Sequence, residues 1–267
     1  MRATGQRLGR GERMWGRWRR GIAAVALWMA AQAAPAAEPS MQEALLAAIE
    51  ARNLDAARAA VARGADLNGL GPFRRTPLHA AARGVDTRLL EWMLAQGANP
   101  NARDDDGRTP LHLANQTSAE ILLRHQADAR LTDRQGNTAL HIAAEGSRGM
   151  CRLLVQAGVP VNSRNQSGLT PLHFAVLAGK RLLVEQLVEL GADVNAKTAA
   201  EYSFKPSFVA WDVKGMDSGV PAGATPVSLA RRLHRQNRWG QGDLYADLAD
   251  YLITKGAVEQ KWWQLRE

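Results

Sequence analysis

Cysteine is almost absent: Cys151 is the one thiol in 267 residues, so no internal disulfide can form and stability has to come from packing. Thiolate zinc spacings are excluded with it, and no glycine-rich phosphate loop or Ser/His/Asp order is present either. Enzyme chemistry therefore has no positive support, and neither a cofactor nor a metal is expected. Aromatic residues make up 6%, with four Phe and three Tyr, so any place where they gather is informative. A field of one charge is also lacking. The net charge is +8, but residues 1–37 hold seven Arg and one Glu, which leaves 27 basic and 25 acidic residues in the rest. A body so close to neutral has no electrostatic footprint for nucleic acid.

Long apolar runs are missing as well. "GIAAVALWMAAQAA" (21–34) has about 14 residues where a membrane-spanning helix needs about 20, and Gln32 interrupts it. It follows Arg17, Arg19 and Arg20 and precedes small residues and Pro35, the order of a secretory signal. Residues 1–37 are read as that signal, cleaved after Ala36 or after Ala33 or Ala37, with Met14 a possible true start. No cysteine in the leader can be lipidated. The expectation is a chain secreted across the inner membrane, periplasmic in a Gram-negative source, with no stable membrane anchor after cleavage.

What is there is repetition. "TPLHAAARG" begins at Thr76, and similar segments begin at Thr109, Thr138 and Thr170, in steps of 33, 29 and 32 residues; "TPVSLA" follows 55 residues later at Thr225. A period near 33 signals a stack of repeats. Threonine is a good N-cap and proline suits the first helical position, so helix starts are set at each Thr-Pro. Leu78, Leu111, Leu140 and Leu172 supply an apolar contact, and the alanines after each histidine let paired helices approach closely. Gly64, Gly97, Gly158, Gly191 and Gly256 end second helices, where a left-handed residue is needed.

These motifs strongly resemble the ankyrin repeat, whose units pair two antiparallel helices and project a β-hairpin finger toward the next unit. The resemblance implies an all-α solenoid of helix-turn-helix units with β-hairpin fingers. It covers a capping repeat at 38–75, repeats over 76–197, an aromatic finger insertion at 198–224 and a diverged C-terminal capping repeat and tail at 225–267. In that family the histidine bonds locally and to the neighbouring unit. His79, His112, His141 and His173 recur once per unit, about 10 Å apart if the units pack like helices, too far for one metal whose ligand bonds are near 2 Å. They are read as structural.

Other candidates fall to plainer readings. "DDDG" (104–107) resembles the front of a calcium loop, but the twelfth position, which needs a bidentate Glu, is Leu113; it is read as a finger turn. Cys151 replaces apolar residues of other units and is read as a small buried side chain. His125 and His234 lie outside the motif and are read as exposed. Trp262 and Trp263 are read as covering the end of the stack.

Departures from the repeat carry more information. The unit from Thr109 is four residues short and has Gln126 at the glycine position, which predicts a weak point or bend. Between Asn195 and Thr225 about 22 extra residues are inserted, carrying Tyr202, Phe204, Phe208 and Trp211. A disordered linker would be poor in such residues; they are read as partner anchors, as a small satellite core on the last repeat, or as both. Fingers and first helices commonly bind partners in this family. The expected face therefore combines Phe73, Arg75, Asp105, Asp106, Arg134, Gln135 and Gln166 with helix positions Arg83, Gln116 and Glu145, and the insertion closes one end. The function this implies is a non-catalytic protein–protein interaction scaffold that binds another exported protein. An inhibitor or immunity protein neutralising an exported toxin or hydrolase is the alternative within that class, and an enzyme with an unrecognised site near the insertion is the alternative outside it.

Overall fold

The structure is a computed structural model and describes residues 40–84, 86–203, 219–236 and 242–258. The leader (1–37), Phe204, Phe208, Trp211, Trp262 and Trp263 lie outside the described residues. Among the described residues twelve α-helices run in pairs: α1 Met41–Glu50 and α2 Leu54–Ala62, α3 Pro77–Arg83 and α4 Thr87–Ala95, α5 Pro110–Leu113 and α6 Gln116–Arg124, α7 Ala139–Ala143 and α8 Arg148–Gln156, α9 Pro171–Leu177 and α10 Arg181–Glu189, α11 Pro226–Gln236 and α12 Gly242–Thr254. The first helix of each pair packs on the first helix of the next, and from the second pair onward the second packs on the second. Two rows result, an inner row beside the fingers and an outer row.

One continuous apolar core lies between the rows. Leu78, Leu111, Leu140 and Leu172 are buried in the inner row, and Leu90, Leu122, Leu154 and Leu187 face them from the outer row. Each fully buried leucine contributes about 1.5–3 kcal/mol of transfer free energy, and Ala82, Ala143 and Ala175 at contact points bring the helices close. Such a stack is stabilised unit by unit, through nearest-neighbour interfaces.

Polar side chains join the units on a fixed pattern. Thr76, Thr109, Thr138 and Thr170 each form a capping box with the histidine at the third helical position. Outside the short unit, the second helices then end at a left-handed glycine, with φ +89° at Gly97 and +92° at Gly191. The short unit has Gln126 there at φ 65°, so a side chain is held where glycine is preferred. An asparagine just beyond each turn reaches into the next unit. Asn68 Nδ2 donates to the Gly97 carbonyl and its Oδ1 accepts from Asn99 N–H; Asn101, Asn162 and Asn195 repeat the pattern. Arg130 takes this place once, its Nε donating to the Gly158 carbonyl at 3.2 Å.

Candidate protein-binding face

The fingers are built from one turn used repeatedly. Asp104, Asp133 and Asn165 each donate their N–H to the residue four places on, Arg108, Asn137 and Leu169, at 2.8–3.0 Å. Their side-chain oxygens accept from backbone N–H groups inside the same turn. Asp104 is thereby buried and also paired with Arg75 at 3.2 Å, so its carboxylate is consumed by the turn.

Successive fingers are then tied tip to tip. Asp105 N–H donates to the Phe73 carbonyl, Arg134 N–H to Asp106, Gln166 N–H to Gln135 and Ala199 N–H to Ser167, all at 2.8–2.9 Å. A single hydrogen-bonded edge runs from the first finger to the root of the insertion. Of the residues expected to face a partner, Phe73, Arg75, Asp105, Asp106, Arg134, Gln135 and Gln166 lie along this edge. Arg83 is exposed at the end of α3, and Glu145 is half-buried in the turn after α7.

Gln116 does not lie with them. It is the first residue of the outer helix α6, where its amide donates to Glu120 at 3.1 Å. Seven residues past the threonine still reaches the inner helix end in the unit of Thr76. The unit of Thr109 has an inner helix of only four residues, so the same count overshoots into the outer row.

The insertion grows from a finger tip without disturbing it. Thr198 N–H donates to the Ala224 carbonyl at 3.0 Å and Gly223 N–H to the Thr198 carbonyl at 2.9 Å, the bonds that close the ordinary fingers. Gly223 has φ +73°, matching Gly107, Gly136 and Gly168. Residues 199–223 thus replace a three-residue tip, and they begin and end as a two-stranded ribbon, β1 Tyr202–Ser203 antiparallel to β2 Gly219–Val220. Tyr202 pairs with Val220 in it.

Sequence reasoning missed the conformation of the first finger. Phe73 and Arg74 both adopt left-handed backbone, φ 58° and 52°, and Arg75 N–H donates back to the Pro72 carbonyl. This is the turn for which Asn-Gly is the favoured pair. Arg74 stands where the next three fingers have glycine. Phe73 is 70% exposed at the tip, its ring 5.7 Å from the Arg75 guanidinium. Strain maintained under an exposed aromatic is a reason to look for function there. Arg74→Gly should raise stability by about 1 kcal/mol, seen as a melting temperature about 2–4 °C higher by circular dichroism. An unchanged or lower value would mean that the Arg74 side chain stabilises the tip by as much as its backbone strains it.

The four histidines are stitches. In each, Nδ1 accepts from the capping threonine's N–H at 3.1–3.2 Å, which leaves Nε2 protonated. That N–H donates across to the next unit, at the carbonyls of Arg108, Asn137, Leu169 and Ala224. His173 makes this bond across the insertion. Burial lowers the pKa of all four and brings His141 and His173 down to about 4. At the last threonine Ser228 takes the histidine's place and bonds only within its own turn. Cys151 is buried, and its thiol is pushed up to about 12, so it is no nucleophile at neutral pH. His125 is exposed at the end of α6, and His234 is half-buried on α11.

Comparison with known proteins agrees with the stacking of paired helices and fingers. A model of ankyrin repeats (many copies) matches residues 61–114, and one of ankyrin repeats (3 copies) matches residues 115–198. The chain belongs to the ankyrin-repeat family. Human Rabankyrin-5 is 33% identical over 166 residues, covering 46% of this chain and 14% of that protein. Mouse NF-kappa-B inhibitor alpha is 41% identical over 108 residues, covering 36% and 34%. Palmitoyltransferase AKR1 of Lachancea kluyveri is 31% identical over 156 residues, covering 55% and 21%. The match thus takes in only 14% to 34% of these relatives' own length. Ankyrin repeats mediate protein–protein interaction and are generally non-catalytic. Among the described residues, no helix is long and apolar enough to cross a membrane.

Proposed function

We propose that this chain is a non-catalytic scaffold that binds another exported protein along the finger edge and through the insertion at its end. The observation that carries the reading is the bond from Ala199 N–H to the Ser167 carbonyl. It makes the insertion root the continuation of the row that begins at Phe73, so the mixed-charge edge runs from an exposed aromatic tip to the segment whose sequence carries Tyr202, Phe204, Phe208 and Trp211. Tyr, Trp and Phe are the residues that most often anchor such interfaces. Export rests on the charged and apolar order of residues 1–37. A second reading, an inhibitor that occludes an exported toxin or hydrolase, draws support from the likeness to a relative named as an inhibitor.

The test replaces 199–223 with the Gln-Ser-Gly tip found at 166–168. Parent and variant are used as bait against a periplasmic fraction after both are shown to be helical. Loss of one specific partner from the variant supports the reading, and the identity of that partner separates an inhibitor of a toxin or hydrolase from an interaction scaffold. Equal capture by both would remove the insertion from the interface.

A further inference from the structure

The first finger departs from the others in ways that the fold does not require. The bond from Gly71 N–H to the Arg75 carbonyl sets its register against the turns opened by Asp104, Asp133 and Asn165. In that register Phe73 takes the place of Asp106, Gln135 and Ser167, and Arg74 the place of Gly107, Gly136 and Gly168. Leu70 falls where Arg103 and Arg164 each donate to a carbonyl of the next unit, Thr132 and Lys197. A tie between units is therefore given up for an apolar side chain that is 54% exposed. Arg74 is exposed as well, and its side chain makes no hydrogen bond or ion pair among the described residues. The turn thus keeps a left-handed arginine, which glycine would relax, for a guanidinium that the stack does not use.

The tip is nevertheless held firmly. Pro72 fixes one backbone angle, and Asp105 N–H donates to the Phe73 carbonyl from the next finger at 2.9 Å. Arg75 is held between the buried Asp104 carboxylate, 3.2 Å from its Nε, and the Phe73 ring, 5.7 Å from its guanidinium carbon. A protrusion fixed before contact loses little entropy when it binds. Its charge then decides what it can meet. Asp104 neutralises Arg75, but Arg74 is left cationic, and the adjoining tip carries Asp105 and Asp106. Of these Asp106 lies 3.8 Å from Arg108, and Asp105 forms no ion pair among the described residues. A uniformly anionic surface such as a lipid bilayer would attract Arg74 and repel the two carboxylates beside it. A protein surface can answer both signs.

We propose that Phe73 and Arg74 form a preformed plug that enters an apolar pocket on the protein partner, with a carboxylate on the pocket rim pairing with the Arg74 guanidinium. The ring supplies buried area at the centre of the contact, and the charged pair beside it selects the pocket. The inference rests on the scaffold reading above and adds what the partner must present. It assigns Arg74 to recognition, which explains why the finger does without glycine.

The test places the photo-cross-linker p-benzoylphenylalanine at residue 73 of the full chain, irradiates it in the periplasmic fraction and identifies the joined peptide by mass spectrometry. The expected product is one protein, linked at an apolar segment with an Asp or Glu beside it. Calorimetric titration with that protein, once purified, should show Phe73→Asn binding at least about thirtyfold more weakly, the effect of a central aromatic anchor. Arg74→Gly should bind about tenfold more weakly while its melting temperature rises. The double variant installs the Asn-Gly pair that this turn favours; it should be the most stable form and the weakest binder, a divergence that a structural role would not produce. Arg74→Glu should regain affinity when the partner's rim carboxylate is changed to Lys. Parent-like affinity of the double variant for a partner that is lost with the insertion would overturn the plug and leave the scaffold reading standing, whereas a parent chain that binds no protein would remove both. A linked segment without Asp or Glu, or failure of the charge exchange, would overturn the role of Arg74. Binding to phosphatidylglycerol vesicles that disappears in Phe73→Asn would overturn the protein pocket in favour of a membrane.

Discussion

Lowering the pH from neutral to about 4 should cost the solenoid several kcal/mol. His141 and His173 have folded pKa values of about 4 against an ordinary 6.5. Burial is the main cause, partly offset at His141 by the bond to Leu169 and by Asp133, and at His173 by the bond to Ala224. Protonation would also place a hydrogen on Nδ1, opposite the threonine N–H that it now accepts. Between about 4 and 6.5 the unfolded chain therefore binds more protons than the folded one. Stability is fully present above 6.5 and falls as pH drops through that window. A shift of this size corresponds to about 3 kcal/mol per histidine, and two such losses approach the net stability of a typical domain. Urea unfolding at a series of pH values measures it. His173→Ser, which copies the arrangement at Ser228, should be less stable at neutral pH because the bond to Ala224 is lost, but should decline less on acidification. A free energy of unfolding that stays flat between pH 6.5 and 4 would show that the imidazoles can charge without leaving their bonds.

The second large effect concerns two glycines that look alike in sequence. Gly168 and Gly191 both have left-handed backbone, φ +75° and +92°. At Gly191 nothing lies within 4 Å of an added Cβ, so Gly191→Ala meets only the backbone penalty, about 1–2 kcal/mol. At Gly168 the added carbon would lie 2.5 Å from the Ala199 backbone nitrogen. That nitrogen donates the bond tying the insertion root to the finger edge, and backbone on both sides cannot swing aside. Gly168→Ala should therefore cost about 3 kcal/mol or more, in the range of severe core defects, with Ala199 amide protection lost first. Unfolding midpoints of the two variants, compared side by side, give the measurement. Equal midpoints would mean that the fingers can separate at no cost to the stack.

Most of the scaffold could be read from the sequence because its signals are local. The capping threonines placed the inner helix starts from Thr76 onward, the glycines placed most outer helix ends, and the left-handed Gln126 followed from its register alone. The size of the insertion was equally accessible, since it follows from counting between fixed points, and the histidine's reach to the next unit was implied by the resemblance to the ankyrin repeat. The remainder depended on geometry that counting does not carry. Gln116 was misplaced because a shortened helix moves every later residue into the other row. Phe73 and Arg74 gave no sign of their turn, because the glycine that would mark it is missing. The close approach of the Gln116 side chain to Gly149 joins two helices, a relation between chain positions 33 apart that no motif records.

The closure of the fifth finger by Thr198, Gly223 and Ala224 has a further consequence. A segment that departs and returns through one bonded gate transmits little of its own length to what lies behind it. Since loop-closure entropy grows only with the logarithm of length, the stack is nearly indifferent to how many residues occupy the gate. The tips at 105–107, 134–136 and 166–168 share its hydrogen bonds and are equivalent docking slots for the same cassette. Transplanting 199–223 from one tip to another would shift its aromatic residues along the molecule in steps of one repeat while the helices beneath keep their contacts. The fold thus separates the choice of what to display from the choice of where to display it.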